Sequence, residues 1–250
     1  KIKGVTRAFD EVAHHPRFRF FGCVEFGRDV GIDDLRRFYD QVLFATGAQS
    51  DRRMGIPGED LAGSHPATEF VAWYNGHPDF RDRTFNLSAE RVAIVGVGNV
   101  AIDVARILCL SPDELRASDM AQHAVEALSA SAVREVYLLG RRGPAQAAFT
   151  NPELKELGDL AAADVVVDPA EAELDPLSAA DLEQSGDRTL ARKIALLQEF
   201  AKRPQRGHSR RLHLRFCVSP VEVKAGSAGA VAGLQLVKNR LSRTEAGTIV

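Results

Sequence analysis

Two stretches of this chain carry residue types and spacings suited to gripping a phosphorylated nucleotide. The first is Gly96-Val97-Gly98-Asn99-Val100-Ala101, a G-x-G-x-x-A string. Gly96 permits a tight turn, and Gly98 has no side chain to hold a pyrophosphate off the backbone. Ala101 is small enough for a helix to approach a strand, and unpaired amides at a helix start can meet the anion. Such strings also arise by chance, and the bland reading is an ordinary strand-to-helix corner. The context argues against it, because a predicted strand precedes the string and a predicted helix follows it.

The second stretch is Leu139-Gly140-Arg141-Arg142-Gly143-Pro144, at the end of a second predicted strand. Enzymes that use NAD usually place Asp or Glu there to hold the ribose 2′-hydroxyl. No carboxylate stands in this segment. A 2′-phosphate carries close to two negative charges, which a guanidinium fork engages bidentately and an acid repels. Arg141 and Arg142 therefore point to NADP(H) rather than NAD(H). The competing reading is a solvated charge pair at a strand end.

The elements that must position these groups follow from patterning. Residues 91–95, Arg-Val-Ala-Ile-Val, form a short apolar, β-branched run that predicts a buried parallel strand. Val100, Val104, Ile107 and Leu108 then fall at helical spacing. Ser111-Pro112-Asp113-Glu114 is a capping box with proline at the first helical position, and another helix is expected over 119–128. This helical insertion lengthens the interval between the first glycine and the arginine pair beyond the usual ~20 residues. Strands are expected at 135–139, 165–167, 212–216, 221–223 and 233–237, with a helix from 189 to 202. Strand, glycine turn, helix, strand opens a Rossmann-like doubly wound α/β sheet. Upstream, the pattern predicts a helix over 6–15, strands over 17–21 and 41–46, a short helix over 33–37 and another over 68–75. The Gly- and Pro-rich stretch 51–63 reads as a linker or domain crossing.

Composition bounds the class. The 250 residues are 45% hydrophobic and 26% charged, with 32 Lys and Arg against 34 Asp and Glu. That excludes wholesale disorder, a collagen-like repeat and a nucleic-acid-coating protein. No apolar run approaches the ~20 residues needed to cross a bilayer, and no leader pattern is present. Cys23, Cys109 and Cys217 are scattered and form no C-x-x-C pair, so no metal site is expected and a reducing, cytoplasmic setting fits. The chain opens on Lys1 and closes just past Glu245-Ala246-Gly247, so it is expected to be part of a longer protein, and a mitochondrial matrix location stays open with it.

Several longer strings resemble the adrenodoxin reductase-like ferredoxin–NADP reductases. They are Pro16-Arg17-Phe18-Arg19-Phe20-Phe21-Gly22, Ala45-Thr46-Gly47-Ala48, Ile56-Pro57-Gly58-Glu59-Asp60-Leu61, Trp73-Tyr74-Asn75, the run from Gly98 to Leu108, and the run from Gly140 to Thr150. The last is the most specific. Flavoenzymes of the glutamate synthase small-subunit type share the Asn-Val-Ala-x-Asp turn but not this loop. The resemblance implies two Rossmann-like domains, with hydride passing from NADPH to FAD and single electrons from the flavin to an acidic ferredoxin or adrenodoxin-type iron–sulfur protein. It implies NADP contacts at Val97, Gly98, Asn99, Val100, Arg141, Arg142 and Glu153, and flavin-side remnants at Val24, Gly47 and Ala48. It also places Asp103 and Glu156 near the flavin and nicotinamide, in proton handling. For Asp103 an acid favoured by the helix dipole is an equal reading; for Glu156 the plainer reading is a solvated helix residue. The chain departs from the family pattern at Val97, commonly polar, and at Asn151-Pro152.

Two family segments are missing from the sequence. Residues 1–50 hold no G-x-G-x-x-G, and the single tryptophan is Trp73. The expected division is a truncated FAD-domain remnant over 1–56 and an NADP-binding domain over 57–250. Such a chain should bind NADP(H), hold FAD weakly or not at all, and be inactive alone. The alternatives are a glutamate synthase small subunit-like electron-transfer module and a non-catalytic nucleotide-sensing domain. Charge is also uneven: 151–187 holds eleven acids and one lysine, whereas 188–215 holds nine Lys or Arg and one acid. Arg188, Arg192 and Lys193 fall where the family docks its acidic partner, which a basic patch would steer. The competing reading is a solvated face balancing the acidic stretch. Nucleic acid is disfavoured, since no aromatic stacking platform accompanies the charge.

Overall fold

A computed structural model describes residues 6–47 and 50–250. Their contacts separate two compact units, one within the first fifty residues and the other spanning Ser50–Val250. The first unit holds helices α1 (Thr6–Ala13) and α2 (Ile32–Arg36). Asp34, three residues past the cap position of α2, takes the Gly31 amide at 2.9 Å and so satisfies one orphan donor of the first turn. Phe26 and Val30 form a lone bridge, and Phe26 meets Phe44 edge-on at 4.9 Å.

The strands expected over 17–21 and 41–46 do not form. Both segments lack regular secondary structure, and neither joins a ladder. Phe20 is 82% exposed and Leu43 89% exposed, so the alternation has no sheet or core to bury its apolar face. Alternation marks a face that could be buried; a strand also needs a neighbour to take its amides and carbonyls.

The second unit is built on a four-stranded parallel sheet of β1 (Arg91–Val95), β2 (Glu135–Leu139), β3 (Ala163–Val167) and β4 (Arg210–Arg215), in the order β1-β2-β4-β3. The register aligns Ile94 with Leu138, Leu138 with Leu214, and Leu214 with Val167. With Val136, Leu212 and Val165 these side chains form a buried row in the main core. Helices α4 (Asn99–Cys109), α7 (Asn151–Gly158) and α10 (Arg188–Lys202) contribute Ile102, Leu157 and Leu197 to that same core.

The opposite row is more open: Ala93 and Val95 are exposed, while Tyr137, His213 and Val166 are half-buried. The expectation of a buried strand over 91–95 therefore holds for one face only. A parallel strand is buried on both faces only where something covers both.

Three further helices are α3 (Ala67–Tyr74), which packs against α4; α5 (Pro112–Arg116); and α6 (Gln122–Ser129), which touches both α3 and α5. The capping box of α5 forms as expected, with the Ser111 amide donating to Glu114 Oε2 at 2.8 Å and the Glu114 amide to Ser111 Oγ at 3.3 Å. Helices α8 (Pro169–Ala172) and α9 (Pro176–Ser185) precede α10. Asp168, Asp175 and Asp187 cap α8, α9 and α10 by accepting from amides two or three residues on. Three of the eleven acids in the 151–187 stretch are thus helix caps.

Strands β5 (Val218–Ala225) and β6 (Val231–Lys238) form a separate antiparallel pair. The Gly- and Pro-rich segment lies along it, with Val223 donating its amide to the Pro57 carbonyl and Val231 to that of Ala62, both at 2.9 Å.

Buried carboxylates give the fold an acid-sensitive interior. Asp164 collects the amides of Arg206, Gly207 and His208 at 2.9–3.0 Å. Glu171 takes the Arg215 fork at 2.9 and 2.8 Å and the Phe216 amide at 2.9 Å. Glu135 accepts from Arg211 and His213. Burial pushes each carboxyl up, but these donors outweigh it and hold all three below the usual range. Carboxylates lowered in the folded state contribute stability that is present above the unfolded value of about 4 and lost as pH falls through the folded values. The melting temperature should change little from pH 7 to 5 and drop steeply below pH 4. A melting temperature that is the same at pH 3 and pH 5 would contradict this.

Candidate functional site

The turn after β1 has the geometry that its glycines suggest. Gly96 sits at φ +128°, where a side chain is strained, and its amide donates to the Leu139 carbonyl at 2.9 Å. Gly98 is different. It is the N-cap of α4 at φ −103°, an ordinary extended conformation, and a methyl group there would meet no protein atom within 4 Å. The fold itself does not require glycine at this position.

No side chain caps α4, so its first amides are left without an internal partner, and Val100 beside them is half exposed. Ala101 packs against the core. An uncapped helix start under an unfilled glycine has the chemistry of an anion cradle.

Val97 and Asn99 have structural roles as well. The Val97 carbonyl accepts from the amides of Ala148 and Phe149 at 2.9 and 3.1 Å, and Asn99 Oδ1 accepts from the Thr150 amide at 3.0 Å. These bonds tie the glycine turn to the loop that follows the arginines. From the other side, Lys193 Nζ donates to the Ala147 carbonyl at 2.5 Å and stands 5.6 Å from the Phe149 ring centre. Its ammonium is half-buried and burial lowers its pKa. Arg188 and Arg192, on the first two turns of α10, are exposed.

The arginine pair leaves β2 with Arg141 exposed and Arg142 half-buried. Both backbones are pinned: the Arg142 carbonyl accepts from the Cys217 amide at 2.9 Å, and the Arg141 carbonyl accepts from Asn239 Nδ2 at 2.6 Å. Beside them is a cavity of about 470 Å³ lined by Arg141, Arg142, Lys238, Asn239, Arg240 and Val250. Sequence reasoning passed over Lys238 and Arg240. The available signal was a basic pair at the exit of a predicted strand, but nothing local ties it to a loop a hundred residues earlier.

Glu153 lies in the first turn of α7, and its Oε2 is shielded from solvent with no hydrogen-bond partner among the described residues. Glu156 is half-buried one turn on. Asp103 is the fifth residue of α4, past the first turn where the dipole acts most strongly, and lies 3.6 Å from Arg106. In the first unit, Val24 is in an irregular, half-exposed segment rather than at a strand end, and Gly47 is exposed at φ +68°. Ala48 lies outside the described residues. Among the described residues of 6–47 there is no strand–glycine turn–helix unit. No group of three or more potential ligands could hold a metal ion among the described residues, and no described helix is long and apolar enough to cross a membrane.

The prediction at Gly98 separates fold from function. Gly98→Ala should change stability by less than about 1 kcal/mol, the range of an N-cap exchange, yet weaken dinucleotide binding at least about tenfold by displacing the pyrophosphate. Paired melting and calorimetric titration check this; a loss of stability without a loss of binding would reverse the assignment.

The parallel sheet, the glycine turn and the helix start after it define the class: a Rossmann-like α/β unit. Similarity to known proteins narrows this. No family model matches the chain. The NADPH-ferredoxin reductase FprA of Mycobacterium leprae is 44% identical over 250 residues, which is 100% of this chain and 54% of that protein. The mitochondrial NADPH:adrenodoxin oxidoreductase of Arabidopsis thaliana is 38% identical over 254 residues, 99% of this chain and 52% of that protein. Among solved structures, Mycobacterium tuberculosis FprA in complex with NADPH superposes with a TM-score of 0.89 at 44% identity, covering 100% of this chain and 54% of that one. The chain is thus a relative of the adrenodoxin reductase-like ferredoxin–NADP reductases and spans about half the length of the relatives it matches.

Proposed function

We propose that this chain is the NADP(H)-binding portion of a flavoprotein oxidoreductase passing electrons between NADPH, FAD and a ferredoxin- or adrenodoxin-type iron–sulfur protein. The observation that carries the reading is Gly98, a glycine with no structural demand on it above an uncapped helix start. The arginine pair at the end of the neighbouring strand supports the phosphorylated form of the nucleotide.

In this reading residues 57–250 are the nucleotide domain and residues 1–56 a remnant of the flavin domain. A bound NADPH would supply the hydride. The chain's own part is to seat the pyrophosphate on the amides from Val97 to Ala101, take the 2′-phosphate at Arg141 and Arg142, and accept a donor at Glu153 Oε2. Asp103 and Glu156 would stand near the nicotinamide and move protons. Arg188 and Arg192 would meet an acidic partner, with Lys193 kept for the Ala147 carbonyl. A cytoplasmic setting belongs to the proposal, supported by three cysteines that are all unpaired, Cys109 being buried with its pKa pushed up to about 12.

The test is a calorimetric titration of the purified chain with NADP+ and NAD+, together with its visible spectrum. Preferential NADP+ binding without flavin absorbance is the expected result. A stoichiometric flavin band would overturn the claim that this chain does not retain FAD, and equal affinity for both nucleotides would overturn the NADP assignment. Partner binding should weaken with salt; indifference to ionic strength would count against the α10 patch.

A further inference from the structure

We propose that Lys238 and Arg240, where the chain leaves β6, form the second wall of the 2′-phosphate site and set its preference for a phosphorylated ribose together with Arg141 and Arg142. The assignment rests on the NADP(H) reading above. Its basis is the cavity of about 470 Å³ in which the end of β6 and the loop after β2 face each other, each contributing two cations.

The two walls are joined by hydrogen bonds, so their approach is built into the fold. Asn239, between the two new cations, uses Nδ2 to reach the Arg141 carbonyl at 2.6 Å and Ser219 Oγ at 2.7 Å. Its own amide donates to the Cys217 carbonyl at 2.7 Å, while the Cys217 amide donates to the Arg142 carbonyl. The segment between β4 and β5 therefore holds both the arginine loop and the exit of β6.

Charge makes the case for an anion. Arg141, Arg142 and Arg240 have no ion-pair partner among the described residues, and no acidic side chain lines this cavity. The fourth cation, Lys238, lies 3.6 Å from Glu171 Oε1, but that carboxylate is already engaged by both arms of Arg215 and by the Phe216 amide. Lys238 remains 74% exposed, so this contact is a screened surface pair that leaves its ammonium available. Like charges around one cavity repel each other, and an occupant of opposite sign relieves that repulsion. A phosphate monoester, with about −1.5 to −2 charges and three acceptor oxygens, suits two forks and an ammonium better than a carboxylate or a neutral ribose does.

The experiment is calorimetric titration of the chain and of Lys238→Ala, Arg240→Ala and Arg141→Ala with NADP+, NAD+ and adenosine 2′,5′-bisphosphate, alongside melting curves. Each β6 variant is expected to weaken NADP+ and the bisphosphate about 5- to 20-fold, on the scale of one charge-assisted contact. NAD+ binding should stay within about twofold, and Lys238→Arg should keep most of the affinity even if the alanine variant melts early. Unchanged NADP+ affinity in both β6 variants, with Arg141→Ala still impaired, overturns this assignment and leaves the nucleotide reading standing. A wild-type chain that binds neither NADP+ nor the bisphosphate overturns both.

Discussion

Arg141→Ala should lower NADP+ affinity by roughly 1.5–3 kcal/mol, a loss of about ten- to a hundredfold, and leave NAD+ nearly unaffected. A guanidinium facing a doubly charged phosphate makes short, charge-assisted bonds that water only partly replaces. NAD+ has no group at that position to lose. The Arg141 backbone is held by Asn239 and the side chain is exposed, so truncation should not disturb the loop. Arg141→Lys should fall in between, since a point charge keeps the attraction but not the fork. Calorimetry of both nucleotides against the three proteins checks the prediction. Equal losses for NADP+ and NAD+ would mean that the arginine acts on the shared part of the nucleotide.

Gly58→Ala should be the most damaging small substitution in the second unit, costing about 2–4 kcal/mol. Gly58 sits at φ +78°, and a Cβ there would lie 2.0 Å from the Val223 carbonyl oxygen. Positive φ and overpacking each cost about 1–3 kcal/mol, and here the obstructing atom is backbone within β5. Relief would require parting the 57–63 segment from the strand pair, breaking the bond from the Val223 amide to Pro57. The melting temperature should fall by roughly 5–15 °C for a unit of this size. Gly98→Ala is the internal control, the same substitution at a position where no protein atom obstructs it. Similar melting temperatures for the two variants would show that the close approach at Gly58 is readily relieved.

The acid dependence and these glycine effects share a cause with the limits of sequence reading. The turn at residues 96–101 and the box at Ser111 and Glu114 were legible because each is local. Their chemistry depends on neighbours within a few residues, and the chain fixes those distances covalently. The strands expected over 17–21 and 41–46 were misread because a ladder needs a second segment, which alternation cannot reveal.

The basic run from Arg188 to Arg215 shows the same limit for charge. Nine cations in one run read either as a basic patch, with docking expected at Arg188, Arg192 and Lys193, or as a solvated face. Folding spends Lys193 on the Ala147 carbonyl, Arg203 on Glu199 and Gly158, and Arg206 on Leu160. Arg210 is buried and donates to the carbonyls of Leu110 and Val133, while Arg211 and Arg215 pair with Glu135 and Glu171. Of these nine, Arg188, Arg192 and Lys202 are left without a partner among the described residues.

The amino-acid sequence by itself determined the strand, glycine turn and helix start and set two adjacent arginines at the end of the next strand, since each of these features is fixed within a short span of chain. The tertiary structure decided which charges remain available and which remote side chains join them. Lys238 and Arg240 reach the cavity beside Arg141 only because Asn239 and Cys217 pin two distant segments together. Long-range electrostatics depends on distance in space, which separation along the chain does not report.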